Sequence, residues 1–136
     1  MAKNFRELII WQLGFQLRLQ VRHMTQKCVN RADRDFIWDI RRSAKSIPSN
    51  IAEGHGRFGP GDFHRFLLFA KASLDETESH LRNGLVDGDF TQQDYDAAFR
   101  LVRRITPAMT RLMKYLRSKE ARENAERITR MNQRTK

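Results

Sequence analysis

Apolar residues recur at steps of three and four along most of this chain. Ile37, Ile40, Ala44, Ile47 and Ile51 hold that register straight through Pro48, the spacing of one buried helix face. At about 100° per residue, Arg34, Arg41, Arg42 and Lys45 fall on the opposite side. No stretch alternates at period two for long, so the pattern predicts helices and almost no strand. A first helix is expected from about Arg6 to Cys28. A second follows Asp33, a suitable N-cap, and runs to Glu53 with Gly54 as its C′ residue. The linker H-G-R-F-G-P-G breaks the chain, and a third helix runs from Asp62 to about Val86, stopping at D-G-D. Thr91 with Asp94 resembles a capping box and opens a fourth helix that reaches at least Arg117.

Four amphipathic helices of this length with short connections pack most economically as an all-α, antiparallel up-down-up-down bundle. The bundle is expected over residues 1–118. From Ser118 to Lys136 acids and bases alternate, with only Ile128 and Met131 as sizeable apolar groups, which predicts a basic extension over residues 119–136, either frayed helix or disordered tail. The first helix carries two apolar stripes. Leu8, Trp11, Phe15 and Leu19 form one; Ile10, Leu13, Leu17, Val21, Met24 and Cys28 form another on nearly the opposite side. A helix of a lone bundle needs one stripe, since its far side faces water. A second copy of the chain is the favoured cover for the extra stripe, assigned here to Ile10, Leu13, Leu17, Val21 and Met24. The alternative is a deeply packed helix within one bundle.

Charge adds a partner class. Among 136 residues, 26 Lys and Arg stand against 16 acids, a formal net charge of +10, which suits a polyanion: nucleic acid first, an anionic membrane second. No run approaches a membrane span, none has a signal-peptide layout, and the single cysteine, Cys28, fits a reducing cytoplasm as a small buried residue. On the fourth helix, Arg100, Arg103, Arg104, Arg111 and Lys114 lie behind the apolar stripe, and no acid occurs from Ala97 to Ser118. Surface helices usually mix signs at i, i+4, so an unneutralised stripe is more easily understood if phosphates supply the counter-charge. Arg41, Arg42 and Lys45, Arg57 of the linker, and Arg122, Arg127, Arg130, Arg134 and Lys136 of the tail extend the basic surface. Such binding is expected to be salt-dependent and weakly sequence-specific. No helix-turn-helix, zinc-finger spacing or RNP-like strand is present to read bases, and the aromatic residues fall mostly on core stripes, which argues against base stacking.

No catalytic pattern emerges. The linker glycines lack the G-K-[ST] ending of a phosphate loop, and the four histidines are scattered without metal-ligand spacing. Asp75, Glu76 and Glu78 are better placed to pair with arginines than to hold a metal, because residues two apart on a helix do not face together. Ser46 and Ser49 flank Pro48 with no base nearby; their hydroxyls are expected to bond backbone groups freed by the proline. No cofactor is expected.

Several strings resemble one family: F-R-E-L-I-I-W-Q (Phe5 to Gln12), R-R-S-A-K-S-I-P-S-N-I-A-E-G (Arg41 to Gly54), Gly56-Arg57, F-x-x-F-L (Phe63 to Leu67) and A-K-A-S-L-D-E-T-E-S-H-L (Ala70 to Leu81). They are similar to the four-helix-bundle proteins encoded in intervening sequences of bacterial large-subunit ribosomal RNA genes. Those are in turn related to the accessory variability proteins of diversity-generating retroelements. The likeness covers most of residues 5–117 and departs at Thr77, where the family commonly has leucine. The resemblance implies a basic homopentameric ring without known enzymatic activity. The retroelement relatives bind nucleic acid and a reverse transcriptase. The function expected is therefore a non-enzymatic, oligomeric accessory protein binding RNA or RNA–DNA, with a reverse transcriptase as an implied partner. A scaffold docking an acidic protein is the alternative.

Overall fold

The computed structural model describes residues 4–57 and 59–135; Lys136, counted above with the basic tail, lies outside the described residues. A 3-10 turn at Phe5–Glu7 leads into four helices: α1 (Ile9–Cys28), α2 (Arg34–His55), α3 (Pro60–Val86) and α4 (Gln92–Arg134). The described residues contain no strand. Each helix packs on its neighbours in chain order and α4 closes back on α1, so α2 and α4 sit on opposite flanks of α1. Ile10, Leu17, Ile40, Ile47, Leu67, Leu74, Ile105 and Met109 lie at the centre, all but excluded from water.

Local chemistry sets the boundaries. Asp33 accepts a hydrogen bond from the Asp35 backbone N–H at 2.8 Å, and Thr91 Oγ1 accepts from Asp94 N–H at 3.1 Å; both satisfy amides that no preceding turn can reach. Pro60 occupies the first turn of α3, where its missing N–H costs nothing, and Gly59 before it has φ +92°, a conformation open to glycine. The D-G-D turn uses Gly88 at φ +78° in the same way.

Three expectations change. Gly54 does not terminate α2 in a left-handed cap. The helix runs on to His55, and Gly54 is buried against α3, where a Cβ would lie 2.7 Å from Phe66 Cβ and 3.0 Å from Phe63 Cδ1. The absent side chain lets two helices approach. Ser46 does not repair the backbone beside Pro48 either: its hydroxyl accepts from Asn50 Nδ2 and from Ser73 Oγ of α3, each at 2.8 Å, while Ser49 bonds the Lys45 carbonyl at 3.0 Å. One turn away, buried Thr77 donates to Ser43 Oγ at 2.9 Å, and Ser43 donates to the Ile40 carbonyl at 3.1 Å. Thr77 is thus partnered inside the α2–α3 seam.

The third correction concerns α1. Ile10, Leu13, Leu17, Val21 and Met24, assigned above to a contact between copies, are 0–3% exposed within one chain and form its own core. A side chain already buried by α2 and α4 has no surface left for another copy. The stripe that faces outward is the other one: Trp11 stacks on Phe15 at 5.1 Å, both half-buried, and Leu19 is half exposed.

Leu116 is the last buried residue of α4; one more turn, through half-buried Lys119 and Glu120, still lies against the start of α3 at Gly61, and beyond it the helix continues without support from the bundle. Every residue from Ala121 to Arg134 is exposed, a projection of roughly 21 Å at about 1.5 Å per residue.

Candidate nucleic-acid interface

Two grooves run along the flanks of α1, and each collects cations. The first lies between α1 and α2, a recess of about 340 Å³ lined by Arg18, Arg22, Trp38, Arg41, Arg42 and Lys45. Trp38, Arg41, Arg42 and Lys45 are spaced by three, four and seven residues, which places them on one helix face; Arg18 and Arg22, four apart, meet them from α1. Arg41 is held in place from below. Its Nε donates to Thr25 Oγ1 of α1 at 2.8 Å, and that hydroxyl donates to the Val21 carbonyl at 2.8 Å. Among the described residues only one of the five groove cations has an acidic partner: Arg42 pairs with Glu76 of α3 at 3.2 Å, an exposed contact that water weakens. The other four add their charge to the recess.

The second groove, about 760 Å³ and wide open, lies between α1 and α4. Gln16, Leu19 and Gln20 line one side; Arg100, Arg103 and Arg104 line the other with Leu101. Gln20 donates to the Asp94 carbonyl at 3.2 Å and Lys27 pairs with Asp94 at 3.0 Å, stitching α1 to the start of α4. Arg103 lies over the Phe99 ring at 4.8 Å, its charge still exposed.

The expected cations therefore divide. Arg41, Arg42 and Lys45 gather with two arginines that the sequence reading passed over, while Arg100, Arg103 and Arg104 form the opposite flank. Arg111 and Lys114 continue the exposed face of α4 without lining either groove. Arg57 is separate. It sits at the end of the bundle where α2 meets α3, pairs with Glu53 at 2.7 Å and lies over Phe66 at 5.0 Å, so its charge is compensated locally. The helix-three acids pair with bases: Asp75 with Lys71 at 2.9 Å, Glu76 with Arg42, Glu78 with Arg82 at 3.4 Å.

Arg18, Arg22 and Trp38 were missed. The spacing of Trp38 from Arg41, Arg42 and Lys45 was there to be read, whereas nothing in the sequence says that Arg18 and Arg22 meet them. Most aromatic residues are expected on core stripes; Trp38, 68% exposed, is an exception, and the expectation that base stacking is unlikely does not take it into account.

The family model for 23S rRNA-intervening sequence protein matches residues 6–111. The chain belongs to that family. Both grooves lie on helices within the matched span, whereas the unsupported part of α4 lies beyond it. Among solved structures, the chain is similar to a protein of unknown function from the S23 ribosomal protein family of Bacteroides thetaiotaomicron. The match has a TM-score of 0.73 and 20% identity over 78% of this chain and 99% of that one, a likeness that shows the shared fold. No curated protein matches the chain. Membership of the intervening-sequence family is thus established; the retroelement relation is not part of either match. Among the described residues no helix is long and apolar enough to cross a membrane.

Proposed function

We propose that this member of the 23S rRNA-intervening sequence family is a non-enzymatic accessory protein of the cytoplasm that grips nucleic acid, structured RNA or RNA–DNA, by its phosphate backbone. The observation that carries this reading is the α1–α2 groove, where two helices bring five cations together and only Arg42 is matched by an acid. Like charges held side by side repel, and phosphates relieve that repulsion while releasing condensed counterions. The open flank of α4, with Arg100, Arg103, Arg104, Arg111 and Lys114, supplies a second track. Contacts to phosphate position a duplex without reading it, so low sequence specificity follows. The reading requires no reverse transcriptase partner.

Binding of a structured RNA, followed by filter retention across a salt series, tests it. If all five groove cations meet phosphates, affinity falls roughly 100- to 500-fold between about 50 and 200 mM salt. Changing Arg100, Arg103, Arg104 and Arg111 together to Glu should weaken binding further; unchanged affinity would remove α4 from the interface. A partner captured from cells that survives nuclease treatment would favour an acidic protein over RNA.

We further propose that copies of the chain associate through the outward stripe of α1, Trp11, Phe15 and Leu19, in a ring whose fivefold number rests on the family resemblance alone. Light scattering that returned a mass near the 16.1 kDa of one chain would end that proposal.

A further inference from the structure

The aromatic residue in the α1–α2 groove sets it apart from a plain cationic surface. Trp38 is 68% exposed, contributes nothing to the core, and stands one turn from Arg41 and Arg42 on the same helix face. Arginines cover aromatic rings elsewhere: Phe5, Phe15, Phe66 and Phe99 each have a guanidinium within 6 Å of the ring centre. Trp11 stacks on Phe15. Among the described residues, Trp38 has neither an overlying guanidinium nor a ring partner, although it shares its groove with five cations. About two thirds of its surface is open to water in a recess that holds five cations.

A ligand that satisfies both features carries negative charge and an exposed π-face within a few ångströms of each other. An unpaired nucleotide does so. In a duplex the faces of the bases are already stacked and only edges are presented, whereas a single strand or a splayed loop offers base faces beside its phosphates. The recess, about 340 Å³, is at the small end of the roughly 300–1,000 Å³ range of pockets that hold small organic ligands, so it suits a nucleotide or two rather than a double helix. Arg41, held by Thr25, gives the site a fixed cation beside the ring. Resting on the nucleic-acid reading above, we propose that the α1–α2 groove is a site for unpaired nucleotides. A base stacks on Trp38, and the flanking phosphates lie against Arg18, Arg22, Arg41, Arg42 and Lys45. The protein would then favour single strands, loops or bulges over continuous duplex.

Trp11→Phe leaves Trp38 as the only indole and so as its own reporter. In that background, titration with an oligouridine of about a dozen nucleotides should quench Trp38 fluorescence, and an RNA duplex of the same length should quench it far less. Trp38→Ala should weaken oligouridine binding roughly 5- to 150-fold, the range of one lost stack, with the salt slope unchanged; Trp38→Phe should restore most of the loss. Because Trp38 is mostly in water, helix content by circular dichroism should not change in either variant. If Trp38→Ala bound oligouridine as tightly as the parent while Arg41→Glu with Lys45→Glu weakened binding, the stacking site would be overturned and the basic surface would stand. Absence of binding to both oligouridine and duplex would overturn both readings. Polyglutamate that quenched Trp38 equally and displaced oligouridine would overturn the nucleotide assignment in favour of an acidic protein chain.

Discussion

The inner stripe of α1, from Ile10 through Leu13, Leu17 and Val21 to Met24, is at most 3% exposed, whereas the outer stripe of Leu8, Trp11, Phe15 and Leu19 ends in a leucine half in water. Hydrophobicity does not separate them; the outer stripe has the larger side chains. What separates them is the company each keeps. Gly14 and Thr25 lie beside the inner stripe, and α2 closes onto that side: a Cβ on Gly14 would stand 3.1 Å from Ile47 Cγ2 and 3.7 Å from Pro48 N. Small residues mark the side where a second helix backbone comes close. Aromatic residues with an arginine over one ring, as Arg18 lies over Phe15 at 5.8 Å, mark a side that the chain covers only in part: Trp11 and Phe15 share a shallow recess with Pro48, Ser49 and Ala52 of α2.

The sharpest break of this comparison is Leu17→Ala against Leu19→Ala. Leu17 is fully buried, so truncation leaves a cavity and should lower unfolding free energy by about 2–5 kcal/mol in urea denaturation. Leu19→Ala should change it by less than about 0.5 kcal/mol. The reverse order would mean that the stripes are misassigned. A smaller effect tests the small-residue rule on α2. Gly54→Ala forces a methyl against Phe66, and overpacking of about 1–3 kcal/mol should outweigh the gain of about 1 kcal/mol in helix propensity. A more stable variant would show that α3 yields easily there. The double variant Phe15→Glu, Leu19→Glu should leave helix content almost unmoved while the mass in light scattering drops to one chain and the unfolding midpoint ceases to depend on protein concentration. An unchanged oligomer would place the contact elsewhere.

The smallest effect lies at the end of the inner stripe. Burial pushes the Cys28 thiol above its ordinary value of 9.0, and Asp89 pushes the same way, against Arg31 and Arg41. A group whose folded pKa is raised contributes stability that is complete below its unfolded value and is lost as pH rises through the folded one. Urea midpoints should therefore hold to about pH 8.5 and fall above it, and Cys28→Ala should remove part of that alkaline loss. Identical alkaline profiles for parent and variant would show that the thiol is not the group responsible.

Much of the fold was legible because its signals are local. The i, i+3, i+4 spacing of Ile37, Ile40, Ala44, Ile47 and Ile51 marks the buried face of α2, and Asp33 and Thr91 act as the caps their side chains suggest. Gly54 misled because a glycine after an apolar run reads as a helix end. Only the presence of Phe63 and Phe66 on α3 makes it a packing residue. The same holds for S-I-P-S-N-I-A-E-G as a whole. Ile47 and Pro48 meet Gly14 of α1, Ser46, itself bonded by Asn50, accepts from Ser73 of α3, and Gly54 admits Phe66. The string is a packing signature for two neighbours at once. The candidate site was half legible: Arg41, Arg42 and Lys45 announce a cationic face by period, and Trp38 shares that period, but Arg18 and Arg22 belong to another helix.

By itself the sequence determined four helices, their order, the N-caps Asp33 and Thr91, a strongly basic surface and the family, since all of these follow from residue type and short spacing. The tertiary structure decided which stripe of α1 is core, that Gly54 is a point of contact, and that cations from α1 and α2 converge around an exposed indole. The physical reason is that burial and electrostatic potential depend on what stands within a few ångströms. For Arg18 and Arg41, more than twenty residues apart in the chain, only the packing of α1 on α2 makes them neighbours of one groove.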